Sequence, residues 1–318
     1  MGTKNGAGDG VLRQRTLKNS IHCSGIGLHS GIKVNMTLHP AEPNTGIRFR
    51  RNGTVRGPEV AASWQNVIDT PLSTTLAGEA DIKAGTVEHL MSALAGCAID
   101  NAVVELNGPE VPVMDGSAAP FVFLIECAGT LAQDAPRRAL EILKEVTVAD
   151  RWRSVSVTPG QGLSIDFEID FDSAVVARQE WSFQVTEASY KRDVSRARTF
   201  GFLEDVDKLR AMGLALGGSL DNAIVISGDR ILNDGGLRYE NEFVRHKVLD
   251  LIGDLYLIGA PMIGRLRCVR SGHAMTLRML KTLFSDESAW RWREMTESDI
   301  EVPMGASVPP ARAVAARA

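Results

Sequence analysis

Strand and helix patterns occur in the same order twice along the chain, on either side of a polar stretch at residues 130–138. In the first half, alternating apolar residues predict strands, and apolar residues at helical spacing predict helices. The order is two strands, a helix, a strand and a second helix, at residues 32–38, 46–50, 85–96, 102–106 and 121–128. Such an order is typical of an α+β fold.

The second half repeats this layout. Three strand patterns and a mixed region precede a helix, a strand and a last helix, and the patterned elements are at residues 141–148, 155–157, 163–171, 242–258, 263–269 and 276–284. Caps are predicted at Thr86 and Asn241, and Gly96 and Gly259 are predicted to end the same two helices. We therefore expect an α+β fold of two similarly built two-layer sandwiches that face one another.

A chain of 318 residues has room for about two domains, and we place their boundary in the polar stretch that contains Pro136. The predicted domains are residues 11–132 and 139–300. Residues 1–10 are Gly-rich and polar, and residues 301–318 are rich in Ala, Pro and Arg. We expect a flexible N-terminus and a mobile tail from these two compositions.

The composition excludes several classes of protein. The 35 basic and 39 acidic side chains nearly balance, and only 6% of residues are aromatic, which argues against a nucleic-acid partner. The sequence has no run of about 18 apolar residues, as a membrane span requires, and its first residues lack the apolar core of a signal peptide. The four cysteines form no C-x-x-C pair, which is typical of reduced thiols. We therefore expect a cytoplasmic protein without a membrane span.

The most informative side chains lie in the predicted helix at residues 242–258. His246 and Asp250 are four residues apart and Asp254 follows at the same step, so the three project from one helix face. This face could supply two metal ligands and one supporting carboxylate. A His and an Asp at this spacing are also common as a hydrogen-bonded surface pair. Because the rest of the helix is largely apolar, we expect the aspartates to be partly buried and to need a cation or a histidine as partner.

Two shorter patterns contain further candidates. Glu88 and His89 begin the first predicted helix and diverge by about 100° around its axis, so the imidazole could bind a metal while the carboxylate meets its water. The alternative is a solvated helix start, where acidic residues are common. His273 follows a strand on a predicted tight turn, where it is either catalytic or a capping or surface histidine.

Residues 195–202 combine two arginines with Thr199, Phe200 and Phe202. The segment could offer a hydroxyl donor beside an apolar wall. It is equally consistent with the edge of a sheet that carries a basic face.

Together these segments resemble the UDP-3-O-acyl-N-acetylglucosamine deacetylases of Gram-negative bacteria, which act in lipid A synthesis. The resemblance runs in chain order from about residue 11 to residue 300, and is carried by residues 14–18, 25–31, 86–90, 113–121, 195–202, 243–250 and 271–274. It implies a metal-dependent amidohydrolase that removes the N-acetyl group of UDP-3-O-(hydroxyacyl)-N-acetylglucosamine as acetate. It also implies an active site between the two sandwiches and a small insert in each, near residues 45–71 and 199–219.

The resemblance implies that a single zinc ion is held by His89, His246 and Asp250, with a fourth position open for water. The same donor types also bind ferrous iron. Glu88 is expected to act as general base on that water.

The other implied catalytic residues are Thr199, His273 and Asp254. The Thr199 hydroxyl and a protonated His273 would stabilise the oxyanion, and either His273 or Glu88 would protonate the departing amine. Asp254 would orient His273 and favour its charged form.

A substrate with a nucleotide diphosphate at one end and a hydroxyacyl chain at the other implies an amphipathic site. By the same resemblance Lys247 would meet phosphate, and an apolar passage for the acyl chain would be bordered by residues 214–220 and by the substrate-binding side chains Leu72, Ser73, Phe200, Phe202 and Ser219. Ser73 stands where some relatives have cysteine, so behaviour that depends on a thiol is not expected here.

The main alternative is a non-catalytic protein of the same fold that binds sugar nucleotides or acyl chains. A zinc peptidase or a nucleoside deaminase is disfavoured because the sequence contains neither H-E-x-x-H nor P-C-x-x-C. We expect a monomer whose partner is the small-molecule substrate.

Overall fold

The computed structural model describes residues 10–51, 57–70, 72–79 and 82–300. The first ten strands are β1 Arg13–Leu17, β2 Ile21–Ile26, β3 Lys33–Pro40, β4 Ile47–Arg51, β5 Glu59–Ala61, β6 Val67–Ile68, β7 Thr75–Ala77, β8 Lys83–Ala84, β9 Ala102–Leu106 and β10 Thr130–Pro136. The next ten are β11 Arg138–Ile142, β12 Val146–Asp150, β13 Arg153–Thr158, β14 Leu163–Asp170, β15 Arg178–Val185, β16 Phe200–Phe202, β17 Ile224–Ser227, β18 Arg230–Ile231, β19 Met262–Val269 and β20 Trp290–Glu294. The helices are α1 Glu88–Gly96, α2 Ala119–Ala128, α3 Glu187–Ser189, α4 Leu203–Ala211, α5 Glu242–Leu255 and α6 His273–Phe284.

The two halves of the chain build sheets of the same topology. In the first half the strand order is β2-β3-β9-β4-β5, with β9 antiparallel to β3 and parallel to β4. In the second half the same arrangement is the order β12-β13-β19-β14-β15, with β19 antiparallel to β13 and parallel to β14, and this sheet has two further strands, β11 beside the start of β19 and β20 beside β11. Each central strand, β9 or β19, is preceded by one helix and followed by another. The predicted α+β fold and the repeated layout are therefore confirmed.

Alternation along the strands explains which face of the sheet is buried. In β3, Val34, Met36 and Leu38 are buried while the intervening Lys33 and Asn35 are exposed. A strand with this period buries one face against the helices and leaves the other in water.

Each half carries the expected small insert; the second begins where predicted and continues past residue 219 to β18, whereas the first is shifted. The first is the sheet β6-β7-β8, between β5 and α1, and the second is the sheet β16-β17-β18 with α4, between β15 and α5. The predicted position of the first insert, residues 45–71, was too early, because β4 and β5 belong to the main sheet. Ile47 and Phe49 are buried there, which is the alternation of a sheet strand.

The predicted boundary at residues 130–138 is not a polar connection. Residues 130–136 form β10, which pairs antiparallel with β1, and β11 begins at Arg138. Strand β10 is largely exposed and needs no apolar face, so hydrophobic alternation could not reveal it. The division into domains at 11–132 and 139–300 stays a prediction. Residues 1–9 and the tail at 301–318 lie outside the described residues.

The ends of three helices also differ from the predictions. Thr86 does not cap α1: its φ is 51° and its hydroxyl donates to Glu110 Oε1 at 2.7 Å. Asn241 is the N-cap residue of α5, as predicted, but its side chain makes no capping bond, because its oxygen accepts from Arg245 Nε at 2.6 Å. His273 is the first residue of α6 rather than part of a turn ahead of it. At Thr86 a tertiary hydrogen bond replaces the capping bond that the residue type favours, and at Asn241 a bond to a side chain one turn further along the helix does so.

Helices α1 and α5 pack against each other and link the two halves. All residues of α1 except Ala95 are buried. At the contact, a Cβ atom on Gly253 of α5 would lie 2.0 Å from the carbonyl oxygen of Glu88. Only glycine permits so close an approach of one helix to the backbone of another. This approach places the start of α1 beside the middle of α5.

Candidate active site

The three predicted metal ligands meet where α1 and α5 touch. His89 Nε2 lies 3.5 Å from Asp250 Oδ1, and His246 Nε2 lies 3.3 Å from the same oxygen. One donor atom from each residue lies within 4.8 Å of the others, and all three side chains are buried. One ligand therefore comes from the first half of the chain and two from the second.

The protonation states suit metal binding. His246 Nδ1 lies 3.1 Å from the carbonyl oxygen of Ala197, which leaves Nε2 directed at Asp250. Burial lowers the pKa of His246 to about 3, so the imidazole is neutral near pH 7. Burial would raise the pKa of Asp250, but attraction to His246 and to the Lys247 ammonium holds that pKa well below its usual range. The site therefore presents a neutral His246 imidazole and an ionised Asp250 carboxylate.

Two buried polar atoms show that the residues fit a cation. Asp250 Oδ1 and His89 Nδ1 have no hydrogen-bond partner among the described residues. A buried, ionised oxygen without a donor is costly unless a cation neutralises it. Two imidazoles and one carboxylate are also a donor set of catalytic zinc sites, which keep one position open.

Glu88 lies beside this donor set in a buried position. Its Oε2 accepts from the backbone N–H of Thr74 at 3.0 Å. Its Oε1 faces His273 Nε2 at 3.9 Å. Burial raises the pKa of Glu88 to about 6, so the carboxylate is ionised near neutral pH but is more basic than an exposed one.

His273 is oriented by Asp254, as expected. The imidazole Nδ1 lies 2.7 Å from Asp254 Oδ2, and the second oxygen of that carboxylate accepts from the Thr74 hydroxyl at 2.6 Å. Burial would lower the pKa of His273, but Asp254 outweighs it and raises the pKa to about 9. His273 is therefore an imidazolium at neutral pH, with its Nε2 proton directed toward Glu88.

Thr74 is the site residue that the sequence did not reveal. Its N–H holds Glu88, and its hydroxyl lies 3.2 Å from His273 Nδ1 as well as binding Asp254. A threonine in a short strand-like run has no spacing signal, so only the fold brings it to the site. A cavity of about 370 Å³ opens here between residues 67–70 and 73–74 on one side and α6 on the other.

The segment at residues 195–202 passes along the other side of His246. Phe200 packs edge-on against Phe243 at a centroid distance of 4.9 Å and lies 6.4 Å from the His246 ring. Phe202 packs against Phe171 at 6.1 Å. The segment therefore supplies the expected apolar wall.

Thr199 is half-buried in this segment and is held by its backbone. Its N–H donates to Gly116 O at 2.9 Å, and its carbonyl accepts from Ile224 N at 2.8 Å. Of the two arginines, Arg198 forms a buried ion pair with Glu242 at 2.9 Å. The alternative of a sheet edge with a basic face is therefore only partly right, because the charge of Arg198 is paired within the protein. The role of the Thr199 hydroxyl stays a prediction.

The predicted substrate-binding residues occupy varied environments. Lys247 Nζ pairs with Asp250 Oδ2 at 2.9 Å, so its charge is directed at a metal ligand in this structure. Leu72 is 57% exposed, Ser73 is buried, and Ser219 is exposed in the second insert. Leu216 and Leu220 are each 49% exposed in the same insert, an apolar surface suited to a chain of methylenes. The binding roles of these residues stay predictions.

None of the helices within the described residues combines the length and hydrophobicity that a membrane crossing requires. The four cysteines are free thiols.

Comparison with known proteins provides independent information. A family model described as UDP-3-O-acyl N-acetylglycosamine deacetylase matches residues 14–285. The UDP-3-O-acyl-N-acetylglucosamine deacetylase of Acidithiobacillus ferrooxidans is 53% identical over 289 residues, which cover 90% of this chain and 95% of the relative. Proteins of the same description from Hahella chejuensis and Marinobacter nauticus are each 51% identical over 282 residues, covering 88% of this chain and 93% and 92% of the relatives.

Proposed function

Because the chain belongs to the UDP-3-O-acyl N-acetylglycosamine deacetylase family, we infer that it hydrolyses the N-acetyl amide of a UDP-3-O-acyl-N-acetylglucosamine. Water attacks the amide carbonyl, the carbon–nitrogen bond breaks, and the products are acetate and the free amine of the UDP-3-O-acyl-glucosamine. The reaction belongs to lipid A biosynthesis. The observation that carries this conclusion is the meeting of His89, His246 and Asp250 next to Glu88 and His273.

His89, His246 and Asp250 would hold the metal, which we propose to be zinc, with ferrous iron as the alternative. A divalent ion at this position would supply a Lewis acid for the carbonyl and lower the pKa of water. The neutral imidazole of His246 and the ionised carboxylate of Asp250 support this assignment. Elemental analysis of freshly isolated protein distinguishes zinc from iron.

Glu88 is the proposed general base. Since Oε2 is engaged by Thr74, Oε1 is the atom available to accept a proton from the attacking water. Burial has made this carboxylate a stronger base without keeping it protonated at pH 7.

His273 is the proposed source of positive charge and of the proton for the leaving amine. Asp254 keeps the imidazolium form, whose Nε2 proton can stabilise the oxyanion and then pass to the amine nitrogen. We propose that the Thr199 hydroxyl assists at the oxyanion. Glu88, once protonated by water, is the alternative proton donor to the amine.

We further propose that Lys247 meets a phosphate of the substrate, and that Phe200 and Phe202 with the exposed leucines of the second insert border the acyl chain. The location of Lys247 next to the metal ligands supports a role close to the reacting group. Each methylene buried along the passage would contribute about 0.8 kcal/mol to binding. A site completed by a single chain supports action as a monomer, and unpaired cysteines support a cytoplasmic location.

Acetate release tests the proposal against the alternative of a binding protein. We expect the enzyme to release acetate from UDP-3-O-acyl-N-acetylglucosamine, to stop after chelation and to recover when zinc is restored. Glu88→Ala should keep the metal and lose at least about a hundredfold in turnover, whereas His89→Ala should lose the metal as well. Glu287→Ala, at an exposed helix start, is the matched control. Binding without acetate release would favour the alternative, and equal zinc content in the two site variants would contradict the assigned roles.

A further inference from the structure

The residue two positions ahead of Glu88 has a strained backbone. Thr86 has φ of 51°, in the left-handed region that β-branched residues rarely occupy. Strain of this kind persists only where surrounding contacts impose it. The direction in which the chain leaves Thr86 determines where Glu88 and His89 lie.

The contact that imposes this conformation is the carboxylate of Glu110, which is 4% exposed. Glu110 Oε1 accepts from the Thr86 hydroxyl at 2.7 Å and from the N–H of His29 at 2.9 Å. Glu110 Oε2 accepts from the N–H of Ser30 at 2.9 Å. The backbone on either side is also tied, because Val111 N donates to Gly85 O at 3.0 Å. One buried side chain thus joins the turn before α1 to residues 27–31.

The space for this carboxylate depends on Gly27. A Cβ atom at Gly27 would lie 2.4 Å from Glu110 Oε2, well inside contact distance. The close packing of Gly27 and Glu110 means that any larger residue at position 27 would displace the carboxylate.

Residues 27–31 also hold the second insert. Gly217 N donates to Leu28 O at 3.0 Å, and Leu216 N donates to His29 O at 3.2 Å. A Cβ atom at Gly217 would lie 2.2 Å from the carbonyl oxygen of Gly27. The insert that carries the exposed leucines is therefore bonded to the loop that Glu110 binds.

We propose that Glu110 is a positioning residue, which joins the second insert and residues 27–31 to the strained Thr86 and so holds Glu88 and His89 in place. Among the described residues Glu110 hydrogen-bonds His29, Ser30 and Thr86 and no proposed metal ligand, so it acts through Thr86. The expected effect of Glu110 on turnover rests on the proposed function. The expected effect of Glu110 on the position of His89 does not depend on that function, and metal affinity measures it.

The test compares variants that break this contact in different ways. Thr86→Val keeps the branched shape and removes the hydroxyl, and Glu110→Ala removes all the bonds. In both we expect zinc affinity, measured by competition with a chromophoric chelator, to fall about tenfold, since supporting contacts of metal ligands have effects of this size. In both we expect kcat to fall by a similar factor. In Thr86→Val we expect KM to change by less than about twofold, because the bonds from Glu110 to residues 29 and 30, the loop that holds the second insert, remain.

Further variants separate positioning from folding. Thr86→Ser retains the hydroxyl and should restore kcat and zinc affinity to within about twofold of the parent. The double variant Thr86→Val with Glu110→Ala should have the same kcat and zinc affinity as Glu110→Ala alone, because the two changes remove the same contact between Thr86 and Glu110. Thr147→Val is the matched control, since Thr147 is exposed and donates to Glu145 at 3.0 Å on the surface; it should change neither quantity.

A lower unfolding temperature with unchanged kcat and zinc affinity in Thr86→Val and Glu110→Ala would overturn the proposal and leave Glu110 a structural residue. Full loss in Thr86→Ser would do the same, because the hydroxyl would then not be the relevant group. If the parent protein releases no acetate but the variants still bind zinc more weakly, the positioning role stands and the proposed function fails.

Discussion

At the scale of single residues, the site is governed by how burial and neighbouring charge change the basicity of Glu88 and His273. Burial dominates at Glu88 and raises its pKa to about 6. At His273 the carboxylate of Asp254 overcomes burial and raises the pKa to about 9. The two groups therefore hold the ionisation states needed for base and acid over the same range of pH.

The pH dependence of turnover tests this assignment. If Glu88 is the base and His273 the acid, as proposed, activity needs the first ionised and the second protonated, so kcat/KM should rise through about pH 6 and fall through about pH 9. In Asp254→Asn the charge that raises the pKa of His273 is lost while burial remains, so the alkaline limb should move down by more than about one pH unit. Asp134→Asn, at a fully exposed side chain, should leave the profile unchanged. An alkaline limb that does not move in Asp254→Asn would contradict the role of His273 as the acid.

At the scale of elements, the sequence predicted some features well because they depend on local pattern. The strand at residues 102–106 and the face of α5 that carries His246, Asp250 and Asp254 both follow from spacing alone. The strand β10 and the partners of Thr86 could not be predicted, because they depend on hydrogen bonds to distant segments. Periodicity alone could not predict that His89 lies beside Asp250, because this depends on how α1 crosses α5. The family resemblance supplied that expectation.

Gly253 is the residue that sets this crossing, and its replacement tests the arrangement. In Gly253→Ala the new methyl group meets the backbone of Glu88, which cannot move aside as a side chain can. We expect the helices to separate, at a cost of about 1–3 kcal/mol in the free energy of unfolding, and zinc affinity to fall by at least about tenfold. Gly235→Ala is the control, since that glycine has open space around its Cβ position among the described residues. Unchanged zinc affinity in Gly253→Ala, measured by chelator competition, would show that the close approach is not needed for the site.

At the scale of the whole molecule, the metal site joins two halves that have the same sheet topology. His89 belongs to the helix before β9, and His246 and Asp250 belong to the equivalent helix before β19. The repeated layout was predictable because the same order of patterns occurs twice in the sequence. The first insert was placed less well, because its strands of two or three residues are too short to show a period.

A site shared between the halves predicts that metal removal loosens the whole molecule. A ligand that binds only the folded state stabilises it by about 2.7 kcal/mol at one hundred times its dissociation constant. For a chain of this size, zinc should therefore raise the unfolding temperature by at least about 3 °C, as followed by calorimetry. Magnesium at the same concentration should have no such effect, because it prefers oxygen ligands to imidazole. His89→Ala and His246→Ala should each abolish the increase, since either change leaves only one imidazole for the ion. If His89→Ala retained the full effect of zinc, the ion would be bound by the second half alone, and the two halves would not share the site.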